Sequence, residues 1–197
     1  MTNYTLRTSR ISFKYFAIPL ILQLLIILII PSKNFYTYKT GQNVIIQTLP
    51  VDPYDFLRGY SQTLNYQISD LRALNQLTTA TPLKKGDTFY LTLESPESLD
   101  NQPPLPWKIV AVSKEQPSSV TSDRVFLKGI VSSRNRAKYG LETYYMPENQ
   151  RDKINQEIRN LRSDDNQRQA FVVEIKVDRF GNSIPYSLWL GENNYRF

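Results

Sequence analysis

Residues 15–30 constrain this chain more than any other feature, because they read YFAIPLILQLLIILII. Eleven of these sixteen residues are Leu or Ile, and Gln23 is the one strongly polar side chain among them. At roughly 0.3–0.6 kcal/mol for each Leu or Ile, moving the run into lipid gains about 3–7 kcal/mol before Gln23 and Pro19 are counted against it. Counted from Phe13, the run has 18 residues, which is ~27 Å of helix and close to the thickness of bilayer hydrocarbon. The sequence therefore predicts a helix that spans a membrane.

A cleaved signal peptide and a buried core helix are the alternatives to a permanent anchor. A signal peptide has an apolar core of roughly 7–15 residues that ends in small residues, whereas this run continues into IIPSKNFY. A core helix has one apolar face, whereas this run is apolar all round. Both differences favour an uncleaved anchor over residues 15–31, preceded by a tail over residues 1–14.

The basic residues on either side of the span indicate its orientation. Arg7, Arg10 and Lys14 precede it, and Lys33 and Lys39 follow it. Since Lys and Arg near a span favour the cytoplasmic side, the tail is expected in the cytoplasm. The rest of the chain is then periplasmic or, if the Asn- and Gln-rich, cysteine-free composition marks a cyanobacterium, in the thylakoid lumen.

Composition excludes several classes of activity. The 197 residues include no Cys and no His, which removes thiol nucleophiles, disulfides, zinc fingers and Ser-His-Asp triads. The formal charge of +6 is not concentrated, since no basic run with interleaved aromatic residues marks a nucleic-acid site. We expect no metal, no cofactor and no nucleic-acid partner.

A polar linker is predicted over residues 32–42, followed by a β-rich domain over residues 43–197. Runs of alternating apolar residues predict strands, and two apolar stripes with capping residues predict short helices. The fold class is therefore mainly β (α+β), with an antiparallel barrel or sandwich and one or two short helices. The predicted strands are 44–49, 62–68, 88–93, 107–112, 125–131, 141–146, 171–177 and 183–190, and the predicted helices are 71–77 and 149–162.

The stretch VDPYDFLRGYSQTLNY (51–66) crowds acids, an Arg, a Gly and tyrosines before a predicted strand. Asp52 before Pro53 favours a turn, Gly59 permits a backbone conformation that a side chain hinders, and Leu64 and Tyr66 share one strand face. These features indicate a structural corner more than a binding groove. The candidate residues of this stretch are Asp52, Pro53, Asp55, Arg58, Gly59, Leu64 and Tyr66, with Arg58 placed to pair with either acid.

Three blocks of the sequence resemble the GDYXXLXY family, membrane-anchored bacterial proteins of unknown function. The first block matches at Pro50, Val51, Asp52, Pro53, Asp55, Leu57, Arg58, Gly59, Leu64, Asn65 and Tyr66. The second is YGLETYYMPE (139–148), whose candidate residues are Tyr139, Gly140, Tyr145, Pro147 and Glu148. The third is the hairpin VDRFGNSIPYSLWL (177–190). The resemblance implies a short cytoplasmic tail, one span and an exported β-rich domain that accompanies multi-pass membrane proteins.

This chain departs from the motif that gives the family its name. It has Gly59-Tyr60-Ser61 where the family has Gly-Asp-Tyr. A catalytic role for the motif Asp would therefore be lost in this member. The leading hypothesis is a non-enzymatic accessory, binding or assembly protein that is anchored in the lipid bilayer and acts on a membrane-protein partner.

Other readings remain open from sequence alone. A His-independent envelope hydrolase needs a Ser-Lys dyad or two converging carboxylates, and a lipid- or glycan-binding module needs a suitable pocket. The basic run 134–138 is either a solvated loop or a contact for anionic lipid, and Phe35, Tyr36 and Tyr38 suit the membrane interface. The hydrolase candidates are Ser61 or Ser69 with Lys84 or Lys85, Asp52 with Asp55, and Asp164 with Asp165.

Overall fold

A computed structural model gives the fold of residues 13–49, 61–63, 65–78, 81–98, 101–118, 121–133, 135–145, 150–162 and 171–196. The helices are α1 (Phe13–Thr40), α2 (Leu71–Leu77) and α3 (Arg151–Arg162), with a 3₁₀ turn over Gln67–Ser69. The strands are β1 (Gln42–Leu49), β2 (Ser61–Thr63), β3 (Asn65–Tyr66), β4 (Thr88–Glu94), β5 (Lys108–Ser113), β6 (Arg124–Ser133), β7 (Arg136–Lys138), β8 (Thr143–Tyr145), β9 (Phe171–Val177), β10 (Ser183–Leu190) and β11 (Asn193–Arg196).

Helix α1 is long and apolar enough to cross a membrane. Its described large apolar side chains between Phe13 and Ile29 are 46–79% exposed, and such a surface is stable in lipid rather than in water. The helix does not end with the apolar run. It continues through Pro31 to Thr40, so the segment expected to be a linker (32–42) is helical almost throughout.

The strands form two larger antiparallel sheets and one small one. The first has the order β11-β10-β9-β1-β3, the second β5-β4-β6-β7, and the third pairs β2 with β8. Neither of the larger sheets closes into a barrel in the parts of the chain that the structure describes. The α+β class with antiparallel sheets is confirmed, a closed barrel is not seen there, and a sandwich stays a prediction.

One hydrophobic core joins the two larger sheets. It contains Val44 and Ile46 of β1 together with Phe89, Leu91 and Leu93 of β4, all at most 1% exposed. Alternation along each strand places these side chains on one face. At roughly 1.5–3 kcal/mol for each large apolar side chain, this core provides most of the favourable free energy of the domain.

Both short helices were predicted with their boundary signals. Helix α2 begins after Asp70, whose side chain accepts a hydrogen bond from the backbone N–H of Arg72. Helix α3 buries Ile154 and Ile158 and packs Leu161 against the core. This is the i, i+4, i+7 stripe that the sequence showed, and it begins two residues later than predicted.

The predicted strand over 62–68 is wrong as one continuous element. It is divided into β2, β3 and the 3₁₀ turn, and the buried Ile68 lies in that turn. The predicted strand over 141–146 begins two residues later than expected, at Thr143, and the fully buried Leu141 lies before it. The short strands β7 and β11 were not predicted. Three to four residues give too little alternation to be recognised.

Candidate functional site at the junction of helix and sheet

A buried hydrogen bond joins α1 to the β9–β10 hairpin of the first sheet. The hydroxyl of Thr37 donates to Oδ2 of Asp178 at 2.8 Å, and the two residues are 1% and 4% exposed. They are 141 positions apart in the chain. Gly41 completes the contact, because a Cβ there would lie 2.4 Å from the carbonyl oxygen of Thr37 and 3.1 Å from the backbone nitrogen of Val177. The end of the helix therefore lies directly against β9.

The turn over residues 178–182 positions this carboxylate. Oδ1 of Asp178 accepts hydrogen bonds from the backbone N–H groups of Phe180 and Asn182 at 2.9 and 3.0 Å, an arrangement typical of an Asx turn. Gly181 has φ +78° and lies against Phe126 of β6, a backbone conformation and a space that favour glycine. The compact turn predicted from the sequence is confirmed.

The electrostatics of Asp178 follow from this geometry. Burial raises the pKa of its carboxyl, but hydrogen bonds from Asn182, Thr37 and the backbone of Phe180 outweigh burial and leave the pKa below the ordinary value of 3.8. The carboxylate is thus ionised and fully engaged at neutral pH. A charged acceptor of this kind makes stronger hydrogen bonds than a neutral one.

Acid should weaken the junction through this group. Because the folded-state pKa is lowered, the stabilisation is complete above about pH 4 and is lost as the pH falls through the folded-state value. We expect the midpoint of thermal unfolding to fall less between pH 5 and pH 3 in Asp178→Asn than in the wild type. Near-UV circular dichroism of the detergent-solubilised protein measures this midpoint.

The control for the acid experiment is Glu192→Gln, which removes an exposed carboxylate after β10. It should show the same acid-induced fall as the wild type, since its carboxylate does not contact α1. If the unfolding midpoint falls as much between pH 5 and pH 3 in Asp178→Asn as in the wild type, protonation of this carboxyl does not control the junction.

Aromatic and basic side chains surround the junction in a ring that we call the collar. Tyr38 lies 5.9 Å from Tyr186 between ring centroids, and Lys176 lies over both rings, at 5.6 and 4.9 Å. These distances are within the range of a cation–π contact. The collar consists of Phe35, Tyr36, Tyr38, Lys39, Lys176, Arg179, Phe180, Tyr186 and Arg196.

Helical geometry explains how α1 contributes to the collar. Because successive residues are 100° apart around a helix, the inward position of Thr37 places Tyr36 and Tyr38 on either side of it. Tyr36 accordingly meets Phe180, with 6.3 Å between ring centroids. Phe35 and Lys39 lie on the far side of the helix and are exposed. The three aromatic residues expected at a membrane interface are thus all in the collar.

The blocks that carried the family resemblance meet in the fold. Main-chain pairing joins β2, at the end of the first block, to β8 of the second block. The hydroxyl of Tyr139 donates to the carbonyl oxygen of Ile68, and Ser183 of the third block donates to the carbonyl oxygen of Tyr139 at 3.3 Å. Sequence reasoning did not predict these contacts, because no local pattern reports pairing between distant segments.

Tyr139 and Gly140 have structural roles in the second block. The backbone N–H groups of both residues donate to the carboxylate of Glu142, at 2.6 and 3.1 Å, and Gly140 has φ +79°. Burial raises the pKa of the Tyr139 hydroxyl well above its ordinary value, with a smaller contribution from Glu142. The hydroxyl therefore remains a neutral hydrogen-bond donor to the main chain.

Most residues of the first block lie outside the described residues, so their predicted role as a structural corner stays a prediction. Tyr66 pairs with Thr48 through the main chain of β3, and Tyr145 pairs with Ser61 in β8. The candidate residues outside the description are Asp52, Pro53, Asp55, Arg58, Gly59, Leu64, Pro147 and Glu148.

No contact among the described side chains supports the enzymatic alternatives. Ser69 shares no hydrogen bond with Lys84 or Lys85, which lie in the exposed turn before β4. The carboxylate pairs at 52–55 and 164–165 fall outside the described residues. Within those residues, no group of three acidic side chains is placed to hold a metal ion.

The junction contains functional candidates that the sequence did not reveal. Thr37 lies in a segment whose polar composition predicted a linker, and Lys176 and Arg196 are ordinary strand residues. The one usable signal was the Asp at position 178, because Asp at the start of a compact turn often accepts backbone hydrogen bonds. Its partner in α1 was not predictable from local pattern.

Comparison with known proteins was made by sequence and by structure. The family model described as GDYXXLXY protein matches residues 23–188, which is most of the chain. The match includes the first two blocks and the third block up to residue 188, so the resemblance is confirmed. No match was found among the curated proteins or among the solved structures.

Proposed function

The chain belongs to the GDYXXLXY family, and from this premise we propose that it is a membrane-anchored, non-enzymatic accessory protein. Its head, the domain that follows α1, binds a membrane-protein partner. The observation that carries the proposal is the junction. Only Gly41 separates the last residue of α1 from the first residue of β1, and Thr37 bonds to Asp178 across the contact.

A head held in this way is suited to one kind of partner. A flexible tether lets a domain search a large volume, whereas a helix that runs from the bilayer into the domain fixes its height and orientation. Surfaces that stand at that fixed height in the same membrane are the extramembrane loops of neighbouring proteins. The junction therefore favours a partner in the same membrane over a soluble one.

The exposed face of the second sheet is the surface that we assign to this partner. Lys128 pairs with Tyr90, and Ile130 pairs with Lys138, so the four side chains lie on one face. Ile130 is 50% exposed, and both lysines are exposed. An exposed Ile and a Tyr between cations suit an interface with an acidic loop.

The proposed orientation places the N-terminal tail in the cytoplasm and the head in the periplasm or a thylakoid lumen. The three cations before the span support this orientation, as does the large folded domain that follows the span. Digestion of the head by protease added to intact spheroplasts would support it, whereas protection of the head there would contradict it.

Site-specific crosslinking in cells tests the partner. A photo-crosslinking amino acid at position 130 should give an adduct with an integral membrane protein, and the same amino acid at position 153 of α3 should not. Ten Gly and Ser residues inserted after Thr40 should abolish the adduct and leave the head folded. An adduct that survives this insertion would show that a fixed junction is not required.

A further inference from the structure

The collar combines basic and aromatic side chains that come from distant parts of the chain. Arg196 lies 4.3 Å from the ring centroid of Tyr186, and Arg179 lies 4.7 Å from that of Phe180. Lys39 lies 5.8 Å from the ring centroid of Phe35. Stacking on a ring holds each cation in place at a small cost in side-chain freedom.

The collar carries almost no opposing charge. Residues 31–49 contain two lysines and no acid. Of the acids in β9 and the following turn, Asp178 is buried and bonded to Thr37. Glu174 is engaged with Asn43 and Ser187 at 2.7 and 2.8 Å. These neutral partners leave both carboxylates charged, but the four cations of the collar outnumber them, so the net charge around the end of α1 is positive.

The position of the collar along α1 places it at the outer edge of the lipid headgroup layer, within reach of the headgroup charges. At 1.5 Å per residue, Tyr36 lies ~9 Å beyond the last apolar residue, Ile30, and Lys39 lies ~13 Å beyond it. A headgroup layer is about 5–8 Å thick on each side of the hydrocarbon, and electrostatic attraction extends roughly 8–10 Å further in physiological salt. Phe180 lies at the level of Tyr36, since the two rings are in contact.

From this placement we propose that the collar is a binding site for the headgroups of anionic phospholipids in the leaflet from which the head emerges. The aromatic rings take the interfacial position, as Trp and Tyr do around membrane spans. The cations pair with the lipid phosphates. The site belongs to the anchored end of the head, and it borders the sheet face assigned to the protein partner, because the backbone N–H of Lys128 donates to the carbonyl oxygen of Gly181 at 2.9 Å.

This site is compatible with the orientation rule for membrane insertion. That rule concerns basic residues close to the span in sequence, and Lys33 and Lys39 are the two that count here. Lys176, Arg179 and Arg196 come more than 130 positions later and reach the membrane only when the domain folds. Folding can therefore bring more basic residues to the membrane on this side than the orientation rule, which counts only residues near the span, would lead one to expect.

Lipid binding to the full chain in detergent is measurable by native mass spectrometry. We compare phosphatidylglycerol with phosphatidylcholine of the same acyl chains. We expect about tenfold tighter binding of phosphatidylglycerol, because each cation is worth roughly fivefold and one headgroup meets one or two of them. In the triple variant K176Q/R179Q/R196Q the preference should fall below about twofold.

The matched control is R72Q/K108Q/K153Q, which removes the same charge from three exposed positions elsewhere. Lys153 also lies over a tyrosine ring, 5.7 Å from the centroid of Tyr195, so the control includes one cation–π contact. It should keep the wild-type preference. Near-UV circular dichroism identifies any variant that has lost its fold. The lipid preference of the wild type should also weaken as ammonium acetate, a salt that native mass spectrometry tolerates, is raised from about 50 to about 500 mM.

Three results would overturn the proposal. The first is equal binding of the two lipids to the wild type, and the second is an equal loss in the collar and control variants. The third is a collar variant that keeps its lipid preference but loses the crosslink from position 130, which would assign the collar to an acidic protein partner. If the wild type gives no crosslink from position 130 but keeps its lipid preference, the proposed function is contradicted and the lipid site still stands.

Discussion

Gly129→Ala should destabilise the head by about 3 kcal/mol, the upper part of the range for overpacking a core. A Cβ at position 129 would lie 2.5 Å from Cζ of Phe89 and 2.8 Å from Cε1 of Tyr139. Both rings are buried and meet edge to face, with 5.9 Å between centroids. Since Tyr139 is also bonded to Ile68, its ring cannot move away without breaking that bond.

Thermal unfolding of the detergent-solubilised protein measures this effect. A loss of about 3 kcal/mol corresponds to a fall of roughly 6–12 °C in the midpoint for a domain of this size. The control is Ala111→Val, which adds two methyl groups at an exposed position of β5 and should change the midpoint by less than about 2 °C. A midpoint within that margin for Gly129→Ala would show that the two rings are not packed on this glycine.

A double-mutant cycle separates overpacking from a general effect of alanine at this position. Phe89→Leu removes the ring atoms nearest to the added methyl group and costs stability by itself. Combined with Gly129→Ala, it should give a smaller total loss than the sum of the two single changes. If the stability losses of the two single changes simply add, the strain caused by Gly129→Ala does not come from contact with the Phe89 ring.

The elements that local pattern predicted are those whose stabilising contacts are also local. Helix α2 depends on the cap at Asp70, and β4 on the alternation of three apolar residues with polar ones, so both were predicted almost to the residue. The division of the segment 62–68 was not predicted. Ile68 is buried in a 3₁₀ turn, but its spacing from the other apolar residues is that of a strand residue. The spacing of apolar residues alone does not distinguish a strand residue from a residue buried in a 3₁₀ turn.

The candidate site was missed for a different physical reason. Residues 32–42 contain Ser, Lys, Asn and Thr, and a polar composition after a span predicts a linker. The structure instead continues the helix, because Thr37 finds a buried carboxylate and Tyr36 and Tyr38 find aromatic partners in the sheet. Contacts across more than 130 positions decide the conformation of this segment, so no window of the sequence reports it.

The same limit applies to the expected lipid contact. The basic run 134–138 was the visible candidate, because its charges are adjacent in sequence. In the fold Lys138 and Arg136 lie on β7, in the second sheet, whereas the cations around α1 are single residues from four separate segments. A basic surface assembled by folding has no signature in composition, and the overall charge of +6 does not distinguish the two arrangements.

Asp178→Ala should release α1 from the head and cost about 3 kcal/mol. The change removes the acceptor of the Thr37 hydroxyl and of three donors in the turn. Hydrogen bonds to a charged group are worth about 1.5–3 kcal/mol each, but the turn donors are partly exposed and recover water as a partner. Most of the loss therefore comes from the buried contact to the helix and from loosening of the turn.

The orientation of the helix is a more specific readout than stability. Because the chain has no cysteine, Asn34→Cys and Asn194→Cys introduce two exposed labelling sites in α1 and β11. The distance distribution between spin labels at these sites should be narrow in the wild type and broad in Asp178→Ala. Thr37→Val removes the bond between the two elements and the weaker contact of the same hydroxyl with the carbonyl oxygen of Lys33 at 3.2 Å. It should broaden the distribution at a cost of about 1 kcal/mol.

The matched control for this junction is Asp87→Ala. Asp87 also accepts a backbone hydrogen bond in a tight turn, from Lys84 at 3.0 Å, and pairs with Lys114, but it lies in the second sheet and does not contact α1. Its loss should leave the distance distribution narrow, since an exposed ion pair contributes little. If Asp178→Ala also leaves it narrow, the helix is held by its aromatic contacts alone. The fixed orientation that the proposed partner binding requires would then not rest on the Thr37–Asp178 bond.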